Sequence, residues 1–149
     1  MKRIPLWLLG SVTVVALIAA GCGGGDDNSD STTTSLTKAE WIAKADAFCQ
    51  QGNQEIGQAA QQQFGNQKPT AAEVKQFGLG TALPNTQTQV DKIRALGAPS
   101  GDEDEVNKIL DTVQADIDQA KSAGDVEDST FADGNALAKQ YGLKVCGQD

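Results

Sequence analysis

From Trp41 to Ala60 the apolar residues of this chain return at the period of an α-helix. Trp41, Ile42, Ala45, Phe48, Cys49, Gly52, Ile56, Ala59 and Ala60 fall within an arc of about 120° at 3.6 residues per turn. The opposite side carries Lys44, Asp46, Gln50, Gln51, Gln54, Gln58, Gln61 and Gln62, the make-up of a solvated face. Thr37 and Glu40 stand just ahead at the spacing of a capping box, in which each residue satisfies a backbone N–H of the other's end of the first turn. An apolar stripe this long must be covered, so the first helix requires partners.

The rest of the chain supplies them. Thr70 and Glu73 repeat the capping box behind Pro69, but the element they open is irregular. Val74 and Phe77 share one face, whereas Leu83, Val90, Ile93 and Leu96 follow a stripe on roughly the opposite side. Gly78, Gly80 and Pro84 lie between, each unfavourable inside a helix, so a break or kink is expected between 78 and 84. Gly97-Ala98-Pro99-Ser100-Gly101 reads as a turn. A third helix begins with Asp102 as its expected cap and Glu105 at the box position, carries Val106, Ile109, Leu110, Val113, Ile117 and Ala120 on one stripe, and closes at Gly124. A shorter fourth starts after Asp128 or Ser129, uses Phe131, Leu137, Ala138 and Tyr141, and stops at Gly142, with Leu143 placed for a Schellman-type ending. No strand-like alternation of useful length appears. The expected fold is all-α: a four-helix, up-down-up-down bundle with a broken second helix. Its core is lean, because only 24 Val, Ile, Leu, Phe, Trp and Tyr residues occur among residues 36–149.

The N-terminal part is of a different kind. Lys2 and Arg3 precede an uncharged apolar run from Ile4 to Ala20 that ends in the small residues Ala19-Ala20-Gly21, the anatomy of a secretory signal peptide over residues 1–21. A retained membrane anchor is the competing reading, and Pro5, Gly10 and the small-residue exit favour cleavage. Ala19-Ala20-Gly21-Cys22, followed by three glycines, resembles the lipobox of bacterial lipoproteins. That resemblance implies a diacylglyceryl thioether on Cys22 and cleavage just before it. Residues 23–35 contain no apolar side chain, so residues 22–35 read as the lipidated cysteine and a flexible tether spanning roughly 20 Å. The helical domain is then residues 36–149.

Lipidation would use one of the three cysteines and leave Cys49 and Cys146 as a pair. Outside the cytoplasm such a pair normally oxidises. The bridge would close a loop of about 100 residues, a stabilisation on the order of 4–5 kcal/mol in the chain-entropy model. It also suits the topology, since a fourth helix antiparallel to the first brings the chain end back to the half of the first helix that holds Cys49. Two separate buried thiols are the alternative.

Loss of residues 1–21 leaves 10 basic against 20 acidic residues, a net charge of −10. That charge argues against nucleic acid, which demands a basic footprint, and against lying flat on anionic lipid. Ala45-Asp46-Ala47-Phe48-Cys49, Tyr141-Gly142-Leu143-Lys144-Val145-Cys146-Gly147 and the intervening Ala95–Glu103 stretch resemble a family of small, largely uncharacterised bacterial lipoproteins. The resemblance implies a helical domain with paired cysteines and no particular activity.

Chemistry is sparse. Histidine is absent, which removes the commonest general base and most zinc, copper and iron sites, so neither a metal nor a cofactor is expected. Residues 102–133 hold 11 acids against Lys108 and Lys121. A cation site through Asp102, Glu103, Asp104, Glu105 and Asp111 is weighed against ordinary favourable charge in a first helical turn, and the latter is preferred. No catalytic constellation is recognisable. The expected function is therefore that of a non-enzymatic domain on the extracytoplasmic face of the cell membrane, anchored by lipid at Cys22 and working by binding or structural interaction with an envelope protein. The alternative is a carrier or sensor of a small apolar ligand, with a cavity at the helix break near residues 77–84 and Trp41, Phe77 and Tyr141 as its candidate ligand-binding residues.

Overall fold

A computed structural model describes residues 35–148. The signal peptide, Cys22 and all of the tether but Ser35 lie outside the described residues. The domain is all-α, with four helical rods and no strand among the described residues. Helix α1 is Lys38–Phe64. The second rod is α2, Ala71–Phe77, which runs through a π turn, Gly78–Ala82, into α3, Leu83–Arg94. Helix α4 is Glu103–Ala123 and α5 is Ala132–Tyr141.

Both capping boxes form. The Thr37 N–H donates to Glu40 Oε2 at 2.9 Å and the Glu40 N–H to Thr37 Oγ1 at 3.3 Å; Thr70 and Glu73 repeat the pair at 2.8 and 3.3 Å. On α1 the fully covered line is Trp41, Ala45, Cys49 and Gly52, with Ile42, Phe48 and Ile56 half-buried beside it.

The expected break is a π turn rather than an interruption. The Leu83 N–H reaches back five residues to the Gly78 carbonyl. One extra residue in a turn shifts everything after it by about 100°, which reconciles the two apolar faces of the rod. It also solves the problem of Pro84, whose ring would clash with the carbonyl four residues back in a regular helix. Phe77 stays with Phe64, ring centroids 5.4 Å apart, while Leu83, Val90 and Ile93 turn inward and are buried.

One expectation is corrected at α4. Asp102 occupies the position before the helix, but its side chain caps no backbone N–H. Its carboxylate accepts the Tyr141 hydroxyl at 2.7 Å instead. Glu103 takes up the nearby backbone, accepting the Gly101 N–H at 2.8 Å. The fourth helix begins at Ala132, a few residues later than expected, because residues 128–131 form a turn. Its end matches expectation: the Leu143 N–H bonds to the Ala138 carbonyl at 3.0 Å across Gly142, whose φ of 116° suits glycine.

Neighbouring rods run antiparallel. Gln89 lies against Gly52 and Asn85 donates to Glu55, so α3 descends along α1. Gln87 pairs with Gln114 and Arg94 with Asp111, which sets α4 against α3; Gly134 lies on Val113 and Tyr141 reaches Asp102, which sets α5 against α4. The bundle is thus up-down-up-down. The tail after Gly142 then turns back along α1: Gly142 faces Ile42, the backbone of Lys144–Cys146 meets Asp46, and Cys146 is bonded to Cys49, Cα atoms 5.3 Å apart and 97 residues apart in sequence.

Candidate ligand-binding cleft

The rods differ greatly in length. At 1.5 Å per residue α1 is about 40 Å long and α5 about 15 Å. The tail segment from Leu143 to Gln148 runs back beside α5, with Gly147 against Lys139 and the Gln148 carbonyl on Asn135, and forms a further wall between α5 and α1. A cleft of about 200 Å³ lies where these parts meet. Trp41, Cys49 and Asn53 line it from α1; Thr86, Gln89, Val90 and Ile93 from α3; and Ile109, Leu110 and Val113 from α4. Phe131, Asn135 and Ala138 close it at α5, and Leu143, Val145, Cys146 and Gln148 from the tail. Its apolar part is deep, since Trp41, Val90, Ile93, Ile109, Leu110, Ala138 and Leu143 are all buried. Its polar part is carried by carboxamides and one hydroxyl, with Asn53 and Gln148 exposed and Thr86 and Asn135 half-buried.

The tail wall is held by several independent devices. The Asp46 carboxylate accepts the N–H groups of Lys144, Val145 and Cys146 at 2.8–3.1 Å, in effect capping three successive amides that no helix satisfies. Asn135 Nδ2 donates to the Gln148 carbonyl at 3.2 Å. Gly147 sits so close to α5 that a Cβ there would come within 2.7 Å of the Lys139 backbone nitrogen. The disulfide fixes the same segment covalently.

Of the three ligand-binding candidates from sequence, the structure brings two together and separates the third. Trp41 and Tyr141 meet edge to face, ring centroids 5.5 Å apart and 88° between planes. Only Trp41 lines the cleft; it is fully buried, and its indole N–H has no hydrogen-bond partner. Tyr141 belongs to a polar cluster on the other side of that ring. Lys38 Nζ stands 3.8 Å above the Tyr141 ring centroid and 3.4 Å from Asp102 Oδ2. Burial, then the Asp102 carboxylate that accepts its hydroxyl, pushes the Tyr141 phenol well above its ordinary range. The bond from Tyr141 lowers Asp102 in turn. Phe77 packs on Phe64, and no residue of 77–84 lines the cleft.

Four of the five acids singled out from sequence are engaged in structural pairing, Glu105 with Lys38 at 3.9 Å, while Asp104 is exposed and makes no pair among the described residues. Asp102 serves Tyr141 and Lys38, Glu103 the Gly101 amide, and Asp111 pairs with Arg94 at 3.0 Å. Asp116 differs from all of these, because one of its oxygens is buried without a partner. Burial, and then the charge of Asp133, raises its pKa above the ordinary value. Sequence reasoning missed Asp46 and Gln89. Asp46 stands three residues before Cys49, the i, i+3 spacing that puts it beside the bridge, and this was the available signal.

No family model matches the chain, and neither a curated protein nor a solved structure does.

Proposed function

We propose that this chain is an exported, lipid-anchored domain on the extracytoplasmic face of the cell membrane, that it works by binding rather than by catalysis, and that its binding site is the cleft between the four rods and the tail. One observation carries the reading of the site: an apolar interior opens on a rim of carboxamides, the pattern by which bundles hold small molecules. Export and lipidation are supported by Lys2, Arg3, the apolar run and Ala19-Ala20-Gly21-Cys22. The bridge between the two cysteines that lipidation would leave over is in keeping with an oxidising compartment. The resemblance to small bacterial lipoproteins rests on the Ala45–Cys49 and Tyr141–Gly147 motifs. A docking role for an apolar surface has less support, because Val74, half exposed, is the lone large exposed hydrophobic among the described residues.

The site is tested on the processed chain, residues 22–149 with Cys22→Ser, labelled for NMR. Neutral single-ring fragments should shift the side-chain amides of Asn53, Gln89, Asn135 and Gln148 together. Shifts confined to other surfaces, or none at all, would remove the cleft as the binding site. Anchoring is tested separately by the mass of the N-terminal peptide from membrane-extracted protein, which should begin at an acylated Cys22; an unlipidated terminus elsewhere would refute it.

A further inference from the structure

Resting on the reading of the cleft as a binding site, we infer its ligand class: a neutral molecule about the size of one substituted six-membered ring, with an apolar body and a single hydroxyl or primary amide at its outer end. Size comes first. The cleft measures about 200 Å³. An apolar cavity of about 150 Å³ accepts benzene, and sites for drug-sized ligands begin near 300 Å³, so there is room for one ring and a few further atoms.

Charge is decided by what the cleft omits. The chain has 12 basic and 20 acidic residues, yet no charged side chain lines the cleft. A carboxylate or ammonium entering it would lose hydration and meet no counter-charge, which disfavours ions of either sign.

The polar end follows from the groups left over. Gln89 Nε2 already donates to Asn85 Oδ1, Asn135 Nδ2 to the Gln148 carbonyl and the Thr86 hydroxyl to the Ala82 carbonyl. Gln89 Oε1, Asn135 Oδ1 and both ends of the Asn53 amide have no hydrogen-bond partner among the described residues. Free acceptors together with free donors suit a group that both gives and takes one hydrogen bond, as a hydroxyl or a primary amide does.

The test uses matched probes on the processed Cys22→Ser chain: benzyl alcohol, benzylamine as its cation, benzoate, and 2-naphthylmethanol. Dissociation constants are read from the shifts of the cleft amides. Benzyl alcohol should bind at least tenfold more tightly than either ion and more tightly than the two-ring alcohol. Val145→Phe, which fills the cleft from the tail, and Asn53→Trp, which covers it from an exposed position, should each abolish the shifts. Benzoate or benzylammonium binding as well as the alcohol, and still sensitive to these variants, would overturn the ligand class and leave the site standing. No shift with any probe, or shifts that survive both variants, would remove site and class together.

Discussion

Asp46 shows how a single carboxylate can do the work of a missing secondary-structure element. Its three backbone bonds and the adjacent bridge hold a tail that has no helix or strand of its own. The fit of that tail is tightest at Gly147. Gly147→Ala should destabilise the domain by about 1–3 kcal/mol, because its Cβ would meet the Lys139 backbone, which cannot move aside without disturbing α5. Gly52→Ala is a useful contrast. There the added carbon meets the far ends of Gln89 and Asn85, which can swing away, so thermal melts should show the smaller loss at 52 despite the nominally closer approach of 2.1 Å. Asp116 tests electrostatics with the opposite sign. Its folded pKa is raised, so the folded state holds the proton more tightly than the unfolded chain, and ionisation costs stability as pH rises through the ordinary carboxylate range to the raised folded value. Asp116→Asn should therefore raise the melting temperature at pH 7 by a few degrees and lose that advantage toward pH 4; an unchanged melt at pH 7 would show that the orphaned oxygen is hydrated. Cys49 and Trp41 were legible as inward positions because a helical wheel reports burial directly, and Cys146 because it is the one cysteine left to pair with Cys49 once lipidation uses Cys22. Asp46 was not, because a wheel drawn for one helix assigns it to solvent and contains nothing about the tail that comes to cover it.

At the scale of elements, the start of α1, the start of α2 and the endings of α4 and α5 could be read from local sequence, since capping boxes and left-handed glycines are satisfied within a few residues. Asp102 failed the same reading because a stronger distant partner, the buried Tyr141 hydroxyl, competes for the carboxylate. The irregularity of the second rod was visible in the clash between two apolar faces, but its form was not. A full break and a π turn both change phase, and only the packing of Phe77 on Phe64 together with Leu83 in the core requires the continuous form. Gly80 is exposed and has open space around it, so its deletion probes the turn without touching the core. A regular α-helix would result, and Pro84 would then have to fit against the carbonyl four residues back, at a cost of about 3 kcal/mol. Adding Pro84→Ala to the deletion should recover most of that loss in chemical denaturation. Equal stability of the deletion with and without Pro84→Ala would show that proline does not require the π turn.

For the molecule as a whole, order and direction of the helices followed from short connections, whereas the position of the cleft did not, since it depends on how the tail lies between α5 and α1, which only packing decides. The same placement gives the bridge its role. A lean core leaves the seam between α5 and α1 to the tail, and the disulfide joins that tail to α1 across 97 residues. Its removal in a Cys49→Ser, Cys146→Ser double variant should cost on the order of 4–5 kcal/mol in the chain-entropy model. Total stabilities of such domains run about 5–15 kcal/mol, so the four rods should survive at room temperature with a much lower melting point. Asp46 still accepts three amides in that variant, so the tail is weakened rather than released, and the two devices can be separated by hydrogen exchange. The amides of Lys144, Val145 and Cys146 should exchange faster in the serine variant and faster again when Asp46→Ala is added, while those of α4 keep their relative protection. If instead α4 and the tail lose protection in step, the tail is not a separable wall but part of one cooperative core, and the cleft would then open only when the whole bundle unfolds.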